Sequence, residues 1–456
     1  MINRLVVIII LAAGVSLVMG YAYTTFAYFP KLAHDRDLSQ SLVGLTIGLN
    51  SLPFMIFSIA SPFLMKKFGR KKFLVLPLLI CALSIMTFAC LDFIEDSNTF
   101  FWVAMISRLF NGAGMSTYTT ACYSYASILY KENTQKGMGI IKASLGIGPI
   151  VSLVVSSFIF KWFGFFTTFA TISVGLLINT LAIAIFVKEI KDEKSSTNAT
   201  DIVSKRSFKS LYIFADARIF GTVINVFFAM TLIDSLAPLM ADRLDEFGIP
   251  EYLKGLTFLL SNIPFTLTSL LLHIFAKEIR TKRIISCIGW ILLGIAFLFI
   301  GPSKTLGFPN KLFMVFIGFP LFGASYACLI VTSIPIMQGC AADYDTVNEE
   351  YKQVTLYFSG LFNLAYGTGT FIGPLISTRI EEPLGFQRFA EIISLSAFIC
   401  LIIYILLISL PRSLKVKKHI IKANFKESSL NIYKDDEESE TQETISTQLL
   451  RSPAKA

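Results

Sequence analysis

The chain has 456 residues, 54% of them hydrophobic and only 16% charged, with a formal charge of +9. Soluble domains carry about a quarter of their residues as charges, so this composition excludes a string of water-soluble domains and calls for lipid. Nucleic-acid binding is excluded too, because the positive charge is gathered into short loops between apolar runs.

The first expected transmembrane helix covers 5–29. A basic start at Arg4 precedes an apolar run, as in a secretory signal. The run, however, continues to Phe29 and ends in Tyr28-Phe29-Pro30-Lys31 rather than in small residues, so it reads as a retained helix. Further runs of bilayer length follow at 42–65, 73–92, 99–128, 137–160, 165–187, 216–240, 255–276, 284–301, 311–340, 353–378 and 389–410. The expected fold is an all-α membrane protein of about twelve transmembrane helices in two pseudo-symmetric six-helix bundles. An N-terminal bundle occupies 1–187, a polar cytosolic linker 188–215, a C-terminal bundle 216–411, and a disordered cytosolic tail 412–456.

Lys66, Lys67, Arg70, Lys71 and Lys72 flank one short loop. Lys277, Arg280, Lys282 and Arg283 flank another, and Arg412, Lys415, Lys417 and Lys418 follow the last helix. All three fall on one side, and cytoplasmic loops carry the excess of Lys and Arg, so both termini are expected in the cytosol. The two halves also repeat. Each has a basic loop after its second helix and a Gly-Pro deep in its fifth, Gly148-Pro149 and Gly373-Pro374. Paired Gly/Pro interruptions in the two halves point to transporter architecture.

The seven cysteines show no CxxC spacing, and the three histidines, His34, His273 and His419, are far apart. Neither a disulfide framework, a metal site nor a cofactor is indicated. HExxH, GxSxG and buried carboxylate pairs are all missing, which argues against an enzyme.

An ionisable side chain inside a membrane costs several kcal/mol and is kept for a reason. Asp234, Arg108 and Lys142 are the candidates. Burial favours a carboxylate's protonated form and a neighbouring cation its ionised form. Proton and ammonium would therefore compete at Asp234, and competition at one carboxylate suffices for exchange. A structural ion pair with Arg108 or Lys142 is the alternative. Arg108 is deep enough to organise a proton site or bind an anion, and Lys142 sits where its ammonium can snorkel to the interface. Two cations against one acid also leave organic anion transport open. Tyr21, Tyr23, Tyr118, Tyr123, Tyr357 and Tyr366 are candidate rings for a cation, and Asn225, Asn262 and Asn363 candidate neutral partners, among 42 phenylalanines that serve packing.

Gly69-Arg70-Lys71-Lys72 resembles the second half of the GxxxDRxGRR signature of the major facilitator superfamily, with Pro62 and Lys66 where its glycine and aspartate stand. The run from Arg108 through Gly112 to Gly114 resembles that superfamily's RxxxGxG element, and Gly146 through Gly148-Pro149 its antiporter signature. In the second half, residues 232–240, Phe247 to Pro250, Gly301 to Ser303 and 359–374 resemble the vesicular amine transporters, closest to their polyamine-transporting branch. That resemblance implies exchange of a cationic substrate for lumenal protons, with Asp234 as the membrane carboxylate. A position acidic in the monoamine members falls on Asn363 here; acids of the first and tenth helices fall on Leu17 or Val18 and near Ile330. The expected partners are a small cationic substrate, protons and the lipid bilayer. The expected state is a monomer in an intracellular vesicle or plasma membrane, with a transporter-like receptor as a further alternative.

Overall fold

Fourteen α-helices make up most of the described chain, since apolar backbone in lipid must satisfy its own hydrogen bonds. The structure is a computed structural model that describes residues 4–130, 134–188, 217–276, 278–341 and 348–409. The linker beyond Lys188, the tail beyond Ser409, and Asp216, Asp343 and His419 lie outside the described residues, as do the side chains of Lys66, His273 and Tyr357. The first half comprises α1 (Arg4–His34), α2 (Gln40–Leu49), α3 (Ser51–Phe68), α4 (Lys72–Ala89), α5 (Ser97–Leu129) and α6 (Thr134–Phe186). The second comprises α7 (Ala217–Asp234), α8 (Met240–Asp245), α9 (Glu251–Phe275), α10 (Ile279–Ile300), α11 (Leu312–Val331), α12 (Ser333–Ala341), α13 (Asn348–Leu384) and α14 (Phe386–Tyr404).

Eight described segments are long and apolar enough to cross a membrane, one of them being Gly137–Phe186 with 50 residues. At 1.5 Å per residue that segment is more than twice a ~30 Å hydrocarbon core. It reverses at Gly164, whose φ of 74° is open to glycine and costly for other residues. The contacts record the reversal. Ser144, Ser152 and Ser157 meet Ser16, Thr24 and Tyr28 in ascending order along α1. Beyond Gly164, Phe169 meets Tyr21 and Asn179 bonds Ile10, in descending order.

Local chemistry sets the other boundaries. Gly69 ends α3 with a φ of 88°, its N–H bonding Met65 O at 3.0 Å, and so turns the chain within the basic loop. Asp96 caps α5 by accepting from the backbone N–H and the hydroxyl of Thr99. Phe63, Trp162, Phe275 and Leu395 project outward, as lipid-facing residues do.

Three runs expected as single spans are broken. The second divides at Asn50 and the tenth at Thr332. The seventh stops at Asp234, because Pro238 has no N–H for the carbonyl four residues back and its ring crowds that carbonyl. The two halves meet closely where α2 crosses α13. Cβ atoms at Gly44 and Gly48 would fall 2.6 and 2.8 Å from the carbonyl oxygens of Pro374 and Phe371, so only glycine admits this approach.

Candidate functional site

With Pro238 unable to donate, the Asp234 carbonyl accepts instead from Ala237 N–H at 3.2 Å, and the chain turns irregularly to α8. The carboxylate is thereby delivered at a helix end inside the bundle. Its Oδ2 is enclosed and has no hydrogen-bond partner among the described residues, and Thr370 of α13 stands beside the group. An enclosed oxygen without a partner marks a place for water or a ligand.

Asp234 lines a cavity of about 60 Å³ between α1, α7, α9 and α11. At about 10–15 Å³ per water by this measure, there is room for roughly four water molecules. Tyr23 and Phe26 come from the first half; Phe258, Ser261, Asn262, Phe265, Phe319, Phe322 and Tyr326 come from the second. Asp234 is the sole ionisable carboxylate in this lining, and aromatic rings surround it. Gly323 makes the wall possible, since a Cβ there would land on Ser261 O and force α11 away from α9. Tyr326 Oη lies 3.0 Å from Tyr366 Oη, bringing Tyr366 to the margin of the cavity. Asn363, Tyr366 and Thr370 share one face of α13 by their three- and four-residue spacing.

The remaining candidates lie elsewhere. Arg108 is buried in the first half, donating to Ile47 O at 2.9 Å and Thr46 O at 3.4 Å, with its guanidinium 5.6 Å from the Tyr21 ring centre. These carbonyls belong to the last turn of α2, where helical partners run out. Arg108 thus caps the break at Asn50. Tyr118 is buried and donates to Leu11 O at 3.1 Å, away from the cavity lining. Lys142 is exposed. The glycine motifs pack helices: Gly112 against Asn50 O, Gly114 against Pro77 O, Gly146 against Thr266, Gly148 beside the buried Pro149 against Ser16, and Gly373 beside Pro374 against Thr231 O. Arg70 and Lys71 are partly exposed in the loop after Gly69. Among the sequence candidates, Tyr23 and Asn262 line the cavity with Asp234. Tyr326, Ser261 and the phenylalanines of α9 and α11 went unnoticed, because apolar positions give no signal of which face looks inward.

At the end opposite the basic loop, the halves are tied by charge. His34 Nε2 is 3.3 Å from Asp242 Oδ2, which also accepts from Gln40 Nε2 at 2.8 Å. Lys31 Nζ lies 3.0 Å from Glu251 Oε1, and Ser41 donates to Glu382 at 3.4 Å. Lys254, fully buried, is held by Asp245 at 2.6 Å and Glu251 at 2.8 Å. A buried ammonium needs such partners, since an unpaired charge there costs several kcal/mol.

Sequence comparison identifies the architecture: the Major Facilitator Superfamily profile matches residues 10–344. The chain belongs to the major facilitator superfamily. This facilitator is 23% identical over 398 residues to the human MFS-type transporter SLC18B1, covering 86% of this chain and 84% of that protein. It is 23% identical over 389 residues to multidrug resistance protein 2 of Bacillus subtilis (strain 168), covering 83% and 90%. Among solved structures, the nucleoside transporter NupG aligns with a TM-score of 0.69 at 14% identity, over 89% of this chain and 99% of that one. A bacterial homolog of the human lysosomal transporter Spinster, inward-facing and unoccupied, aligns at 0.62 with 14% identity, over 89% and 95%. At such identities the structures speak for the fold alone, which is the facilitator fold expected from the sequence.

Proposed function

We propose that this facilitator transporter exchanges an organic cation, an amine or polyamine, for protons by alternating access, with Asp234 as the shared binding group. The observation that carries the reading is the partnerless carboxylate oxygen of Asp234 inside an aromatic-lined cavity between the two halves. A carboxylate removed from water either holds a proton or pairs with a cation, so cargo and proton displace one another. Ring faces add roughly 0.5–2 kcal/mol for an ammonium. Tyr326, Tyr366 and Thr370 supply neutral hydrogen-bonding groups near the acid, and Asn363 lies on the same face of α13.

In this reading the halves divide at the linker 188–215, with about twelve crossings and both termini cytosolic, in a vesicle or plasma membrane. Organic anion transport draws less support, because Arg108 caps α2 and Lys142 is exposed, leaving the cavity lining without a cation. The test is uptake into proteoliposomes with an acidic interior, using labelled spermidine, a monoamine and an organic anion. Accumulation of a cation that collapses with the pH gradient is expected. Gradient-driven uptake of the anion alone, or pH-independent uptake, overturns the proposal.

A further inference from the structure

His34 sits where α1 ends, and both of its ring nitrogens face oxygen. Nδ1 is 3.3 Å from Leu38 O and Nε2 is 3.3 Å from Asp242 Oδ2. A neutral imidazole carries one N–H and one lone pair, so it satisfies one of these acceptors and sets its lone pair against the other. The doubly protonated ring donates to both. The geometry therefore matches the imidazolium.

Charges from the neighbouring elements favour the same form. Asp242 on α8 faces the ring directly, and Glu381 of α13 interacts with His34 while sharing its surroundings with Asp242, Glu246 and Glu382. Lys31, one turn back on α1, is engaged with Glu251. In the turn that follows, Arg36 directs its guanidinium to Asp92 O, with Asp35 and Asp37 on either side in sequence. Carboxylates thus outnumber free cations around the ring. Since α1 belongs to the first half and α8 and α13 to the second, the bond spans the seam that must part for the Asp242 end to open.

We infer that His34 is a proton-operated latch: protonated, it ties α1 to Asp242 and holds this end of the transporter shut, and deprotonated, it releases the tie. Histidine is the side chain whose ordinary titration falls between about pH 5 and 8. The sign follows. Acid on the Asp242 side strengthens closure, and neutral medium favours opening. Only the compartment that supplies the acid rests on the proposed orientation.

The test is a distance measurement by pulsed electron resonance in nanodiscs, which requires no substrate and so stands or falls apart from the transport reading. Spin labels go on Asn98→Cys and Lys304→Cys, exposed positions at this end of the two halves, with the seven native cysteines replaced. Lowering the pH from about 7.5 to 5.5, across the histidine range, should enlarge the short-distance population about two- to fivefold, the range for one partly exposed ion pair. His34→Gln and Asp242→Asn should abolish the response, and His34→Arg should hold the short distance at both pH values. An unchanged pH response in His34→Gln, or none in the parent chain, overturns the latch.

Discussion

Gly373 of α13 lies against the backbone of Asp234, so close that a Cβ on it would sit 3.3 Å from the Asp234 carbonyl carbon and 2.5 Å from Thr231 O. The break that presents the carboxylate is thus supported from behind by a bare stretch of helix. We predict that Gly373→Ala pushes α13 off α7, costing about 1–3 kcal/mol of stability and lowering uptake more than the melting temperature alone explains. Thermal melts in detergent beside proteoliposome uptake check this, and an unshifted melt with full uptake would contradict it.

Removing the charge of Asp234 should separate binding from packing. Asp234→Asn keeps the volume and loses the titrating group, so gradient-driven uptake is expected to vanish while expression and melting stay near those of the parent. Retained pH-driven uptake assigns Asp234 to structure.

Two tyrosines with different surroundings give a paired prediction. Tyr326→Phe removes a hydroxyl from the cavity, where it meets Tyr366, and should raise the KM for a cation about two- to tenfold, the worth of one hydrogen bond. Tyr118→Phe removes a bond to Leu11 O deep in the first half and should lower the melting temperature with KM unchanged. Uptake kinetics and melts on both variants check the pair, and a raised KM in Tyr118→Phe with none in Tyr326→Phe would contradict it.

Arg108 offers a test of a helix cap. Arg108→Lys preserves charge but cannot reach two carbonyls with a planar fork, so we predict a loss of about 1–3 kcal/mol with selectivity between cations and anions unaltered. A switch in selectivity would place Arg108 with the cargo instead.

Asp96 should make the start of α5 acid-sensitive. The hydroxyl and N–H of Thr99 hold its carboxyl below the usual value of 3.8. Its folded pKa being the lower, the cap's contribution is complete above 3.8 and lost as pH falls through the folded value. Asp96→Ser, capping without charge, should remove that acid dependence; hydrogen exchange in residues 97–101 at matched pH reads it.

The span lengths and the loop basicity were legible because lipid imposes a long apolar run on every crossing, and the expected boundary between the fifth and sixth spans falls at Gly164. Asp234 stood out for a related reason: a charge in such a run is conspicuous. The interruption at Asp234 was written in Pro238, four residues on, yet a hydropathy count passes straight across it. Arg108 was conspicuous too, but its partners are backbone carbonyls, which have no signature in sequence. Tyr326 and the rings of α9 were hidden among 42 phenylalanines, and the tie between His34 and Asp242 joins positions 208 apart, a pairing that local pattern cannot reveal.

The crossing of α2 over α13 bears on how such a molecule moves. Toothed surfaces must unmesh before they slide, and each interlocked side chain has to find a new rotamer. At Gly44 and Gly48 the partner presents carbonyl oxygens to bare backbone, with Thr378 as the one side chain set against Gly44, so a swivel of one half on the other would meet little to unmesh along this line of contact.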